Sequence, residues 1–273
     1  MNGWTVAVQP RETIVEIERI WTEDARQLAD AVANLDSSWG TTVFDLVDGA
    51  AVLCGPGLYV NRALGLGLES YPNDGDIDLL ESRSAAVGVP PCVEVCDATR
   101  AGLAELLIRR GYVDHGKTTA VVHDLSEVRA RDPAVLVEYC GFDDLLAWQE
   151  TAAVGWDHDT HTRRRASDVF AAAAVRVDDP GLMVARSADD GRLLGCATLK
   201  IGQGMATLGG MSTLPDERGR GVQAALICHR LRQAKEAGCR YAVSSATQGS
   251  ASVRNLLRQG FQVSHTKTEL THF

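Results

Sequence analysis

Residues 206–225 read Ala-Thr-Leu-Gly-Gly-Met-Ser-Thr-Leu-Pro-Asp-Glu-Arg-Gly-Arg-Gly-Val-Gln-Ala-Ala, and the rest of the chain is organised around them. The part ending at Thr213 is apolar and β-branched with paired glycines, which suits a strand, and Leu214 to Glu217 breaks it. A helical pattern opens at Gly221, runs to Glu236 and stops at Gly238. The first N–H groups of a helix have no partner inside it and carry the positive end of its dipole, so such a junction holds an anion. Gly219 and Gly221 let the backbone come close, while Arg218 and Arg220 add charge with a geometry that forks onto phosphate oxygens. The expected ligand is a pyrophosphate.

Arg218 and Gly221, placed after a strand, resemble motif A of the GNAT acyltransferase superfamily: Arg or Gln, two residues, Gly, one residue, then Gly or Ala. The last signature position is Gln223, followed by the small Ala224 and Ala225. The resemblance implies acetyl-CoA as cosubstrate, held by Arg218, Gly219, Arg220, Gly221, Val222, Gln223 and Ala224. It also implies that the pantetheine arm runs along the backbone of Met211, Ser212 and Thr213. Downstream, residues 249–261 look like the family's motif B, a helix ending in Gly260-Phe261, with Ser252 and Asn255 expected at the cofactor. Gly249 replaces the Asn usual at the start of that motif. Leu256 stands where a Tyr often serves as general acid, so Ser245, Thr247, Ser252 or water is left for that role.

The run Gly219 to Ala224 also satisfies the dinucleotide fingerprint Gly-x-Gly-x-x-Ala, which is weak on its own. That fingerprint should follow its strand at once and find an acidic residue at the end of the next strand. Here Leu214 to Glu217 intervene and the next strand, from Tyr241, ends in Ser-Ala-Thr. The acyl-CoA resemblance is therefore preferred.

A chain of 273 residues exceeds one domain of about 150. A charged stretch closed by Pro, residues 125–133, divides it into an expected first domain at 1–125 and a second at 134–273. In the first, the phrase Asn61 to Leu68 is similar to the N-terminal half of tandem GNAT proteins, but Glu69, Asp74, Asp76, Asp78 and Glu81 follow with no arginine before Arg83. Acids at a helix start repel phosphate, so this half is expected to lack an acyl-CoA site. Arg110-Gly111-Tyr112 echoes Gln259-Gly260-Phe261, as a duplicated fold would. The expected fold is α/β with a mixed central sheet flanked by helices, two GNAT-like domains in tandem.

The net charge of −9 opposes binding to nucleic acid or to anionic membranes and favours a cationic acceptor. Seven scattered cysteines read as reduced core residues, no metal-ligand spacing is present, and the cytoplasm is the expected compartment. For chemistry, the resemblance implies direct attack by an amine-bearing small substrate on the thioester, with a backbone N–H near Met211 to Thr213 polarising the carbonyl. No Asp or Glu lies on residues 193–213 to act as base. Asp157, His158 and Asp159, in the polar run 155–165 that shows no apolar period before Ala166, are the expected catalytic residues with Ser245. A monomer or homodimer is expected. The alternative function is an acyl-CoA-binding pseudoenzyme or sensor without turnover.

Overall fold

The computed structural model describes residues 9–58, 60–129, 134–177 and 180–273. Two units emerge from its internal contacts: Val121–Val263, and the described residues up to Ala120 taken together with Ser264–Phe273.

The first-half unit begins with one long helix, α1 (Arg11–Leu35), whose Ile14, Val15, Ile17, Ile20, Ala31 and Val32 are buried at helical spacing. Strands β1 (Thr42–Leu46) and β2 (Gly49–Leu53) form a hairpin, and β3 (Arg62–Leu64) follows. Helix α2 (Asp74–Ala86), β4 (Cys92–Cys96), α3 (Leu103–Arg109) and β5 (Val113–His123) continue the chain. Its strand order is β1-β2-β3-β4-β11, where β11 is Gln262–Thr271. The sheet is mixed, because β3 and β4 are parallel at Ala63 and Val93 while the other pairs are antiparallel.

The compact units therefore differ from the expected division at 1–125 and 134–273. Lys267 to Thr271 pair with Cys92 to Cys96, which draws the end of β11 into the first-half unit. The side chains on one face of that strand account for it. His265 Nε2 lies 2.8 Å from Glu18 Oε1, Lys267 Nζ donates to Glu94 Oε2 at 2.6 Å, and Glu269 accepts from Arg62 Nη1 at 2.8 Å. Lys267 also sits 4.5 Å above the ring of Trp21. Polar and charged groups that would be costly to bury alone are held in one network. Residues 130–133 of the expected linker lie outside the described residues, whereas Ser126 is tied to the second-half unit by Lys235 Nζ at 3.0 Å.

The second-half unit contains β6 (Val135–Tyr139), α4 (Leu145–Gly155), α5 (His161–Ala174), β7 (Pro180–Ser187), β8 (Leu193–Gly202) and β9 (Met205–Thr213). Then come α6 (Val222–Glu236), β10 (Tyr241–Thr247) and α7 (Ala251–Arg258). The order from β10 outward is β10-β9-β8-β7-β6, antiparallel except for β9 and β10, which are parallel. Helix α5 starts at His161, five residues before the first apolar position. Thr160 caps it by accepting from Arg163 N at 3.2 Å, and its first turn is wholly polar. The core of this unit gathers Val137, Met183, Ala197, Leu208, Leu226, Leu231, Leu256 and Phe261.

Candidate functional site

Two backbone features make the site. The first is a fork between parallel strands: β9 and β10 are paired from Met205 with Tyr241 to Thr207 with Val243, and the pairing ends there. On the other side of β9, Thr198 pairs with Gly209 and Cys196 with Ser212, so Gly210 and Met211 stand opposite Ala197 alone. This is a β-bulge, with Gly210 at φ +53° and space for no Cβ, since one would lie 2.7 Å from Thr198 Cγ2. Ser244 Oγ donates to Leu208 O at 2.7 Å, just past the last register pair.

The second feature is the start of α6. Gly221, at φ +80°, precedes Val222, and Gly219, at φ +79°, has nothing within 4 Å of where a Cβ would stand. The unpaired N–H groups of the first helical turn meet the open backbone of the Gly219 to Gly221 turn there. Arg220 is 64% exposed at its side chain and reaches Glu217 at 3.4 Å, while Arg192 also binds Glu217 and offsets its charge. Arg218 donates to Gly155 O at 3.1 Å. A diphosphate fits this corner on its donor set: peptide N–H groups, two exposed arginines and a carboxylate already answered.

The remaining expected cofactor residues fall into two groups. Gln223 Oε1 accepts from Asn255 Nδ2 and its Nε2 donates to Ser252 Oγ at 3.4 Å, so Gln223, Ser252 and Asn255 meet at the joint of α6 and α7. Met211, Ser212 and Thr213 lie along the open stretch of β9, where the side chain of Ser212 is turned inward to Thr151 O at 3.1 Å. Trp156 Nε1 donates to Met211 O at 3.1 Å, a contact that no motif announced.

Asp157, His158 and Asp159 lie between α4 and α5. Asp157 has φ +60°, Asp159 is exposed with Oδ1 3.8 Å from Arg163, and Ser245 is exposed on β10. His158 is half-buried beside the Trp156 ring and contacts Ser167 Oγ through Nδ1. Ser167 is also placed to donate to Arg163 O at 3.2 Å, an arrangement that suits the tautomer with hydrogen on Nδ1 and a lone pair on Nε2. Burial, with the charge of Arg163, lowers the imidazole pKa below its ordinary 6.5. Leu256 is buried in the core. The thiols of Cys54, Cys92, Cys96, Cys140, Cys196 and Cys228 are all pushed up by burial, as suits packing residues.

The first-half unit repeats the arrangement with its anion supplied from within. After β3, the N–H groups of Gly67, Glu69 and Ser70 all donate to the carboxylate of Asp48, at 2.8 Å for Gly67 and 3.1 Å for Ser70. Arg11 bridges Leu68 O and Ala98 O, the segments that follow the two parallel strands. Asn73 and Asp76 close a capping box on α2, whose first turn is acidic.

A parallel pair that splays at a bulge and hands on to a glycine-opened helix defines the GNAT fold. The model of the acetyltransferase (GNAT) family matches residues 142–261, a stretch that lies within the second-half unit. Among solved structures, a GCN5-related N-acetyltransferase from Kribbella flavida has a TM-score of 0.67 at 15% identity, covering 92% of this chain and 95% of its own. Another from Sphaerobacter thermophilus scores 0.59 at 15% identity over 85% of this chain and 75% of its own. A tandem GNAT protein from the clavulanic acid biosynthesis pathway scores 0.56 at 14% identity, with 81% and 77% covered. These likenesses span both halves, so the fold is that of a tandem GNAT protein. No curated protein matches the sequence. Among the described residues, no helix is long and apolar enough to cross a membrane.

Proposed function

We propose that the second-half unit transfers the acetyl group of acetyl-CoA to the nitrogen of a small amine by direct attack. The observation that carries this is the open corner at Gly219 to Gly221 beside the splayed end of β9. Acetyl-CoA supplies an activated acyl carbon; the protein binds, orients and moves protons. The α6 N-terminus, with Arg218 and Arg220, takes the diphosphate, and the joint of Gln223, Ser252 and Asn255 borders the arm. Backbone N–H groups of the β9 bulge donate to the thioester oxygen, which gathers charge as the C–N bond forms and the C–S bond breaks. His158 Nε2, neutral at pH 7, accepts the proton lost by the amine, directly or through water. Asp157 and Asp159 hold a cationic acceptor near it, and Ser245 or water returns a proton to the leaving thiolate. The acceptor is a small amine-bearing molecule, not nucleic acid or membrane. The protein works in the cytoplasm as a monomer or homodimer, and the first-half unit binds no acyl-CoA.

Thermal protection by CoA combined with free-thiol release over a panel of amines tests this. Release with one amine class supports transfer, and absence of CoA protection sinks it. The burial of Leu256, where a Tyr acid would stand, favours a second function: an acyl-CoA sensor without turnover, which would bind CoA yet release no thiol with any amine.

A further inference from the structure

Helix α6 carries Arg230 about two and a half turns beyond Gly221, and its side chain is completely buried. A guanidinium taken out of water is ordinarily answered by a carboxylate. Here Nε donates to Leu226 O at 3.1 Å, Nη1 to Thr198 O at 2.9 Å and to Gly209 O at 3.1 Å, and Nη2 lies 3.0 Å from Met211 Sδ. These partners are three backbone carbonyls and a sulfur, none of them charged. Burial pushes the guanidinium down to about 9, so it stays protonated at neutral pH.

The positions matter more than the count. Thr198 and Gly209 are register partners at the edge of the bulge, so one side chain pins both strands where β9 leaves its ladder. Met211, the last residue of the bulge, is held from two sides: its sulfur by Arg230 and its carbonyl by Trp156. The oxygen of Gly209 and the N–H of Gly210 belong to one trans peptide and point opposite ways. A cation at the oxygen polarises that peptide and makes its N–H a stronger donor, with little water to screen the effect.

We propose that Arg230 is a positioning residue for acyl transfer, locking and polarising the Gly209 to Met211 bulge so that its N–H groups meet the thioester oxygen as charge builds there. This rests on the acyl-transfer function proposed above. In the step itself the nucleophile's lone pair forms the new bond to the carbonyl carbon, the C–S pair leaves on sulfur, and one proton passes from nucleophile to base. Arg230 gains and loses nothing.

The full chain and its Arg230→Met and Arg230→Lys variants are mixed with acetyl-CoA labelled with 13C at the carbonyl. The infrared carbonyl band, thermal protection by CoA, and thiol release with water as acceptor are recorded. Wild type should show the bound band at lower wavenumber than free acetyl-CoA. Arg230→Lys, which keeps the charge but not the fork, should retain part of the shift. Arg230→Met should lose it and release thiol about 100-fold more slowly at unchanged KM for acetyl-CoA. CoA should protect all three forms alike. A band identical in wild type and folded Arg230→Met overturns the proposal. If that variant does not fold, a full wild-type band in Arg230→Lys overturns it. Failure of CoA to protect even the wild type removes the acyl-transfer function and this proposal with it, and is distinguishable from a lost band shift in protein that still binds CoA.

Discussion

The two halves contain the same backbone device and treat it in opposite ways. After β3, the N–H groups of Gly67, Glu69 and Ser70 close on Asp48, and Arg11 stitches the carbonyls beyond the two parallel strands. After β9, the turn at Gly219 to Gly221 has open space at Gly219 and is flanked by Arg218 and Arg220, and the nearby carboxylate of Glu217 is held by Arg192 and Arg220. A nest of N–H groups is thus neither a binding site nor a structural turn by itself. The source of the negative charge decides, and the first-half unit carries its own.

Reversing the charges of the open corner should break the comparison most completely. Arg218→Glu with Arg220→Glu removes two charge-assisted contacts worth about 3 kcal/mol together, hence about 100-fold in CoA affinity by calorimetry. Unchanged affinity would place the diphosphate elsewhere. His158→Ala should lower thiol release about 100-fold with KM for acetyl-CoA unchanged. In the wild type, with water as acceptor, release should rise with pH to a plateau whose midpoint lies below 6.5, because the depressed imidazole is already neutral there. A midpoint above 7 assigns the base to another group. Asp48→Ala leaves three N–H groups without their acceptor and should cost the first-half unit about 2 kcal/mol. Added phosphate should raise the melting temperature of Asp48→Ala more than that of wild type; equal responses would mean the nest does not behave as an anion site. The smallest effect is expected from Gln223→Ala, about 1 kcal/mol of stability from the lost joint to Ser252 and Asn255. A loss of CoA affinity beyond tenfold would make Gln223 a ligand rather than a joint.

What the sequence made legible is local. The corner at 214–221 announces itself because glycine, proline and arginine act over a few residues, and the strand and helix around it follow from period alone. The start of α5 escaped, since a polar first turn capped by Thr160 has no apolar signal. The occupant of the first nest escaped as well, because Asp48 lies 19 to 22 residues from the N–H groups it serves. Arg230 is legible only in three dimensions: an arginine on a helix reads as surface until the helix is laid against the bulge. The last residues follow the second half in the chain, yet Lys267 to Thr271 pair with β4, a long-range contact that no local pattern announces.

That last feature bears on biosynthesis. On a ribosome, residues 9–120 emerge long before residues 264–273, so α1 and β4 wait with Glu18 and Glu94 lacking His265 and Lys267 while more than a hundred intervening residues are made. The earliest-made half is the last to close, and a nascent chain stalled short of residue 264 should expose it to protease while the later half is already resistant.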